Sequence, residues 1–373
     1  MSRSSFITER TLPAPGRRRL LLAGGAIALT SGCGASGAGY ETLARDLRRA
    51  PAGPRDRAGT LLELLRFATL APSGHNTQPW RFRVEPEGVA ILPDFSRRLP
   101  VVDPEDRELF ISLGCAAENL AAAGPSLGLE PLLSIIPEGA VFAMLEKRER
   151  TASVAMLDAI ARRQCSRSTY DGRAVPADEI AALEEAARGP GVRAVFLTDR
   201  VRVETIVGYV AEGNRVQLGD ARFVDELKAW IRFSDAEALE RRDGLFSRAG
   251  GNPAVPRWIG TLAFGVIATP DGQAERDAAA IRSSSGVVVF LSEHDDRGAW
   301  IETGRAWERF ALRSTILGIR HAFLNQPAEV PALREQLEAY LASGGWRAQL
   351  VARFGYGPLL PYSLRRPVEA VLD

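Results

Sequence analysis

Two stretches of the chain, 106–129 and 296–319, repeat one another without a gap at an offset of 190 residues. Nine of the 24 aligned positions are identical, among them Gly114 and Gly304. Apolar positions inside each copy have helical spacing, and each copy has a glycine where a helix would end before a strand. Chance similarity of two Ala-rich helices is the alternative, but glycines and glutamates that match in register favour duplication. We therefore predict a fused pseudo-dimer of two related halves, each with one long buried helix.

The rest of the chain predicts an α+β fold. Short apolar or alternating runs predict strands at 80–84, 89–92, 192–197 and 286–291. Helical patterns outnumber them, at 41–49, 58–70, 106–124, 152–163, 177–187, 201–229, 273–280, 298–317 and 329–343. The economical architecture is a pair of sheets covered by helices, with the long helices at a two-fold-like interface.

Composition excludes several classes of protein. The chain has 373 residues, 46% of them hydrophobic and 25% charged, which is typical of a soluble globular protein. The 47 Lys and Arg residues nearly cancel the 46 Asp and Glu residues, so no net field favours nucleic acid. Three histidines and three cysteines lie far apart, without the spacing of metal ligands. We therefore expect no nucleic-acid partner, no metal site and no disulfide framework.

The amino-terminal segment resembles an export signal. Arginines at 17–19 precede an apolar run at 20–29, which is too short to span a bilayer. This pattern is similar to a twin-arginine signal and predicts a periplasmic or cell-envelope location. The alternative is a disordered basic tail on a cytoplasmic protein. Cys33 follows a sequence similar to a lipoprotein processing box, although Thr30 stands where an aliphatic residue is usual, so a lipid anchor there is a second alternative.

These patterns divide the chain into three parts. We predict a signal and linker over 1–39, a first half over 40–150 and a second half over 151–373. The second half contains an insertion, residues 230–258, in which aromatic side chains alternate with arginines and glycines. Such a segment could cover a site as a lid, or its aromatics could fill the interface between the halves.

The most informative motif is the loop Ala71–Trp80, which joins a predicted helix to a predicted strand. Its Ser73, Gly74, Asn76 and Gln78 combine helix-breaking backbone with side-chain hydrogen-bond donors and acceptors at short spacing. A heteroaromatic ring edge, with its alternating carbonyl and N–H groups, needs that mixture. These residue types also occur in ordinary turns, so composition alone leaves both interpretations open.

The whole string resembles the hallmark loop of the nitroreductase family of flavin-dependent oxidoreductases. In that family a Ser-x-x-Asn-x-Gln-Pro-Trp segment approaches the ring of flavin mononucleotide (FMN). The resemblance implies that Ser73, Gly74, Asn76 and Gln78 bind the cofactor. The resemblance covers residues 55–373. Over this range the chain is similar to a fused, exported or stress-associated branch of the family, sometimes called Acg-like.

Two further segments resemble the family's phosphate-binding parts. The run 160–170 is similar to an Arg-x-Ser-x-Arg opening segment, with Ser166 one residue closer to Arg167 than usual. The resemblance implies that Arg163 and Arg167 bind the phosphate, for which a guanidinium group is well matched. Near the end of the chain, Arg365 and, in reserve, Arg366 have the same implied role. The alternatives are a partner for a helix carboxyl terminus and a solvated basic tail.

Because the loop lies in the first half and the arginines in the second, the resemblance implies one complete FMN site per chain and a monomer. The implied activity is an oxidoreductase that takes electrons from a transient NAD(P)H donor and passes them through FMN to a small acceptor, of the nitroaromatic or quinone class. Since FMN carries this chemistry itself, we assign no catalytic side chain. The alternative is a protein that holds flavin without turnover.

Overall fold

The computed structural model describes residues 30–51, 56–136, 139–149 and 154–373. Of the predicted signal and linker at 1–39, residues 1–29 lie outside the described residues, and residues 30–39 belong to a helix where a linker was expected. The described helices are α1 (Thr30–Leu47), α2 (Arg57–Thr69), α3 (Arg107–Leu127), α4 (Val154–Arg162), α5 (Ala177–Ala186), α6 (Arg200–Gly219), α7 (Ala221–Trp230), α8 (Asp235–Arg241), α9 (Arg257–Ile267), α10 (Pro270–Arg282), α11 (Arg297–Ile316), α12 (Gln326–Glu329) and α13 (Pro331–Tyr340). The strands are β1 (Trp80–Glu85), β2 (Gly88–Pro93), β3 (Leu129–Ile135), β4 (Val141–Lys147), β5 (Val192–Leu197), β6 (Ile231–Arg232), β7 (Leu245–Phe246), β8 (Gly286–Ser292), β9 (Arg320–Phe323) and β10 (Arg347–Gly355).

Two four-stranded sheets have the same topology, and the α+β class is confirmed. Their strand orders are β1-β2-β4-β3 and β5-β8-β10-β9. When the four strands of each sheet are numbered by their position along the chain, both sheets have the order first, second, fourth, third from edge to edge. All neighbouring strands are antiparallel. A long helix, α3 or α11, joins the second strand to the third in each sheet.

Helices α3 and α11 cross at the centre of the molecule, where two glycines permit close backbone contact. A Cβ atom built on Gly114 would lie 2.0 Å from the carbonyl oxygen of Ile301. A Cβ on Gly304 would lie 1.9 Å from the carbonyl oxygen of Ile111. Both distances are far below van der Waals contact, so each glycine is required by the backbone of the opposite helix. The crossing is thus reciprocal, and it joins the two sheets through one continuous apolar core.

The structure differs from the sequence expectation at several places, and helix α9 and strand β9 are among the elements that were not predicted. Strands β3 and β4 were not predicted, because Pro131 and the mixed charges of β4 obscure the alternating pattern. The predicted helix 201–229 is broken at Asp220, whose side chain accepts from the Arg222 N–H and begins a new helix. The insertion contains ordered elements, α8 and the parallel pair β6 and β7, where no element was predicted.

Helix α1 and the last residues of the chain pack onto other parts of the molecule. Tyr40 of α1 is fully buried, with its ring centroid 4.5 Å from that of Phe246 in the insertion. The last residues return to the first sheet, where the Phe82 N–H donates to the Val371 carbonyl at 2.7 Å and the Asp373 N–H donates to the Phe82 carbonyl at 2.9 Å. The edge strand β1 is therefore covered by residues from the end of the chain.

Candidate functional site

The Ala71–Trp80 loop has an unusual backbone. His75, Asn76 and Gln78 have φ values of 47°, 54° and 54°, in the left-handed region that non-glycine residues seldom adopt. The Ser73 hydroxyl oxygen accepts from the Gln78 N–H at 2.9 Å and helps to close the loop. Strained backbone of this kind persists only where the surroundings fix it, and it concentrates at functional sites.

The Asn76 side chain connects the loop to the insertion and to the carboxyl-terminal tail. Its Nδ2 donates to the carbonyl oxygens of Gly244 at 3.0 Å and Leu364 at 3.3 Å. The Gly244 N–H in turn donates to the Asn76 carbonyl oxygen at 3.2 Å. Gly244 has a φ of 75°, and a Cβ there would lie 2.3 Å from the Trp230 carbonyl oxygen, so this contact requires glycine.

Gln78 makes an equivalent pair of contacts. Its Nε2 donates to the Arg242 carbonyl oxygen at 2.9 Å, and its Oε1 accepts from the Arg366 N–H at 2.8 Å. The side chain is fully buried. The insertion and the tail therefore converge on both amide side chains that the sequence assigns to the site.

Arg163 and Arg365 meet at the carboxyl-terminal end of α2. Arg163 Nη2 donates to the Leu70 carbonyl oxygen at 2.6 Å, and its Nε lies 3.0 Å from Glu308 Oε1. Arg365 donates from Nη2 to the carbonyl oxygens of Leu70 at 3.2 Å and Ala71 at 3.0 Å. Positive charge is favourable at this end of a helix. Both guanidinium groups therefore act as partners for the carboxyl terminus of α2, directly before the loop. This is the structural alternative that the sequence left open for these arginines.

Arg167 and Arg366 reach the loop from opposite sides. Arg167 is exposed, and its charge, after the larger effect of burial, lowers the pKa of His75 to about 4. The Arg366 guanidinium has Nη1 3.9 Å from Asp94 Oδ2. The structure therefore brings Ser73, Gly74, Asn76, Gln78, Arg163, Arg365 and Arg366 to the loop or to the helix end that precedes it, while Arg167 is an exposed residue whose charge acts on His75.

Several buried polar atoms around the loop have no hydrogen-bond partner within the described part of the chain. They are Asn76 Oδ1, Arg366 Nη1 and Gln164 Oε1. Leaving such an atom unbonded costs about 1–3 kcal/mol, so a polar ligand that bonds to it is favoured. Amide oxygens beside guanidinium donors suit a molecule that has both a polar ring edge and a phosphate group. These residues therefore fit FMN.

Sequence reasoning missed three participants. Arg242 and Gly244 contact the loop from more than 160 positions away, and only the unusual glycine content of the insertion signalled them. Glu308 pairs with Arg163, a contact for which the sequence carries no signal.

A group of buried carboxyls lies beside the loop. A Cβ at Gly74 would be 3.0 Å from Glu108 Oε2, and Asn325 Nδ2 donates to Glu108 Oε1 at 2.9 Å. Burial raises the pKa of Asp103 to about 7, and the neighbouring Glu108 adds to the effect. Burial raises the pKa of Glu108, and the nearby Glu329 carboxylate raises it further. Burial also raises the pKa of Glu329. The folded protein therefore holds protons that an unfolded chain releases.

These shifts predict that stability falls as the pH rises from about 6.5 to about 8. In that window the unfolded chain has lost the carboxyl protons, while the folded chain loses them only as the pH passes the raised pKa values. His75 and His321, whose pKa values burial lowers, act in the opposite sense only below their ordinary pKa of 6.5. The urea midpoint should be lower at pH 8 than at pH 6.5, with a smaller difference in Glu108→Gln. Equal midpoints in the wild-type protein would contradict the assignment.

The described residues contain no group of three or more His, Cys, Asp or Glu side chains arranged to hold a metal ion. Among the described helices, none is both long and apolar enough to cross a membrane.

Comparisons with known proteins identify relatives along most of the chain. No family model matches it. It is 27% identical over 329 residues to the Mycobacterium tuberculosis protein named "Putative NAD(P)H nitroreductase Rv3131", a match that covers 85% of this chain and 92% of that one. It is 25% identical over 332 residues to "Putative NAD(P)H nitroreductase acg" of the same organism, covering 82% and 93%.

Among solved structures, a Bacteroides fragilis nitroreductase with bound FMN matches 56% of this chain and 90% of its own at 19% identity and a TM-score of 0.32. The two sequence relatives span both halves, including the Ala71–Trp80 loop region, and they bear the family name that the loop motif implies. Over 85% of its length, the chain is therefore similar in sequence to a protein that bears the name NAD(P)H nitroreductase.

Proposed function

We propose that the protein is an FMN-dependent oxidoreductase of the nitroreductase type. The observation that carries this proposal is the strained Ala71–Trp80 loop, in which the buried Asn76 Oδ1 has no hydrogen-bond partner among the described residues. The names of the relatives support the same class. When bound, FMN supplies hydride and one-electron transfer.

In this proposal the chain holds and orients the cofactor. Ser73, Gly74, Asn76 and Gln78 bind the polar edge of the ring, where the unpartnered Asn76 Oδ1 accepts a hydrogen bond. Arg163, Arg167, Arg365 and Arg366 neutralise the phosphate. Arg365 contributes mainly through its charge, because its donors are already bonded to backbone carbonyls. The electron donor is NAD(P)H, and the acceptor is a small nitroaromatic or quinone; no side chain acts as catalyst.

The test of this function is the visible absorption of the purified chain, reconstituted with FMN and then treated anaerobically with NAD(P)H. One flavin per chain with a band that bleaches is the expected result. A chain that cannot be loaded with FMN would overturn the proposal.

In Asn76→Ala, loss of buried hydrogen bonds should weaken FMN binding by about 1–3 kcal/mol.

A second candidate function is to hold flavin without turnover, and the contacts of the insertion favour it. The Asp243 carboxylate accepts hydrogen bonds from Arg97, next to the loop, and from Arg232 Nη2 at 2.7 Å. Together with the contacts of Arg242 and Gly244, these bonds fasten the insertion to the loop. A segment held this way would restrict access of NAD(P)H to the ring, as a closed lid does.

Asp243→Asn should therefore increase the rate at which NAD(P)H reduces bound FMN, by at least fivefold, because both ion pairs that fasten the insertion are weakened. Stopped-flow absorbance under anaerobic conditions measures this rate. Asp225→Asn, at an exposed carboxylate on the neighbouring helix α7, is the matched control and should leave the rate unchanged. An unchanged rate in Asp243→Asn would show that the insertion does not limit access.

We also infer a duplicated architecture. The shared strand order and the reciprocal crossing of α3 and α11 support two halves, 40–150 and 151–373, that descend from one ancestor. Such a chain contains its own pseudo-dimer interface, which supports a monomer. Export by the segment at 1–39 is proposed from the arginines and the apolar run alone, with a lipid anchor at Cys33 as its variant.

A further inference from the structure

Helix α9 is apolar but lies outside the core. Its 11 residues have only one charged side chain, that of Arg257, and only Gly260 among them is buried. Trp258, Leu262 and Val266, spaced four residues apart, are 71%, 69% and 72% exposed. A helix this apolar normally packs into a core. The stripe formed by these three side chains therefore indicates a surface that something apolar covers.

The contacts of α9 fix the direction of the stripe. A Cβ built on Gly260 would lie 2.2 Å from Phe233 Cδ1, so this glycine packs directly on the Phe233 ring. Just before the helix, the Val255 N–H donates to the Phe233 carbonyl oxygen at 2.9 Å. The four-residue spacing of the stripe keeps it on one helix face, which is the face opposite Gly260. The stripe therefore points away from the body of the protein.

The size of the stripe favours a lipid surface over a second protein chain. A stable interface needs about 800 Å² from each partner, whereas even a large aromatic side chain buries only about 150–250 Å². A lipid surface needs only one helix face, because an interfacial helix lies in the plane of the bilayer with its apolar side at the boundary of headgroups and acyl chains. Tryptophan is enriched at that depth.

The cations beside α9 are already paired. Arg257 Nε lies 3.0 Å from Glu237 Oε1. Lys228 Nζ lies 5.7 Å from the ring centroid of Phe264 and 3.9 Å from Asp225 Oδ1. Because each of these two cations has a carboxylate beside it, contact with lipid would depend on apolar burial rather than on attraction to anionic headgroups.

Helix α8 connects α9 with the amino-terminal part of the chain. Its Glu237 pairs with α9, and a Cβ built on Gly39 of α1 would lie 3.7 Å from its Leu239 Cδ1. The apolar run at 20–29 directly precedes α1. If that run or an anchor at Cys33 entered a membrane, α9 would be held near the same surface, which raises its effective concentration there.

We propose that α9 is a lipid-docking helix, which lies on a membrane surface and inserts Trp258, Leu262 and Val266 into it. With 11 residues it is too short to span the bilayer. The contact requires neither FMN nor NAD(P)H, so it is independent of the oxidoreductase assignment.

The first test identifies the tryptophan that meets the lipid. Of the six tryptophans in the chain, Trp258 is the exposed one, and the other five are buried or half-buried. Vesicles of brominated phosphatidylcholine quench a tryptophan that enters them. The fraction of emission lost, relative to unbrominated vesicles, should be at least threefold larger in the wild-type protein than in Trp258→Phe.

Trp346→Phe, at a half-buried ring directly before β10, is the matched control and should leave the quenched fraction unchanged. Equal quenching in the wild-type protein and in Trp258→Phe would overturn the proposal, because the lipid would then contact another part of the chain. Absence of quenching in both proteins would overturn it as well.

The second test measures affinity for phosphatidylcholine vesicles by flotation. Leu262→Asp should weaken binding at least tenfold, while Val201→Asp, at an exposed apolar side chain of α6, should change it less than twofold. Wild-type binding should persist at high salt, because the contact is apolar. Loss of binding at high salt, or equal affinities of Leu262→Asp and the wild-type protein, would contradict the proposal.

Sedimentation equilibrium without lipid distinguishes a membrane from a second copy of the chain. The wild-type protein and Leu262→Asp should have the same molecular mass. A wild-type dimer that Leu262→Asp dissociates would overturn the proposal and assign α9 to an interface between copies.

Discussion

Gly304→Ala should lower the free energy of unfolding by about 3 kcal/mol, because overpacking in a tight core costs at least that order. The added methyl group would stand 1.9 Å from the Ile111 carbonyl oxygen, which is backbone and cannot rotate away. Helices α3 and α11 would have to separate, and the core that joins the two sheets would open with them. Urea unfolding followed by circular dichroism measures the loss.

A matched control exists within the chain. Gly208 lies on an exposed face of α6, with no atom within 4 Å of a Cβ built there. Gly208→Ala should therefore increase stability by up to about 1 kcal/mol, since alanine is the better helix former. If Gly304→Ala were as stable as the wild-type protein, the close helix crossing would be wrong. Gly114→Ala should reproduce the loss from the other side of the crossing, because its methyl group would meet the Ile301 carbonyl oxygen.

Arg163→Met should cost about 3–5 kcal/mol, the usual cost of removing one partner from a buried ion pair. Arg163 and Glu308 are 2% and 0% exposed, so the carboxylate that remains has little access to water. Burial already raises the pKa of Glu308 to about 7. Without the arginine this carboxyl should bind a proton more readily, and the cost of the substitution should be smaller at pH 6 than at pH 8. Urea unfolding at both values measures it.

Two comparisons separate this effect from a general loss of charge. Arg162→Met removes the adjacent arginine, which is half exposed and pairs with Asp158 at the surface, and should cost less than about 1 kcal/mol. The double variant Arg163→Met, Glu308→Gln should recover much of the lost stability, because no buried charge is left without a partner. A cost that is equal for Arg162→Met and Arg163→Met would show that the pair is not buried.

Local patterns in the sequence predicted the central parts of the fold. The repeat located α3 and α11, since Gly114 and Gly304 occupy matched positions and cross each other in the structure. The Ala71–Trp80 motif predicted the candidate site, because its turn residues and amides can be recognised within ten consecutive positions. Both features depend on short-range spacing, which is what a single sequence displays.

The contacts between distant segments could not be predicted in this way. Glu118 and Glu308 are equivalent in the repeat, yet Glu118 bonds to Arg305 and Arg309 while Glu308 pairs with Arg163. The difference arises from side chains on other elements, which the repeat does not specify. The contacts of the insertion with Asn76 and Gln78 are unpredictable for the same reason, because backbone carbonyls accept them and a carbonyl has no sequence signature.

The hydrogen bonds between β1 and residues 371–373 determine when the edge of the first sheet can be covered during synthesis. Strand β1 is made early, but the backbone groups of Phe82 that face outward find their partners only in Val371 and Asp373. Exposed strand edges invite pairing with other chains until they are covered. The first sheet therefore has an open edge at β1 until residues 371–373 are available to cover it.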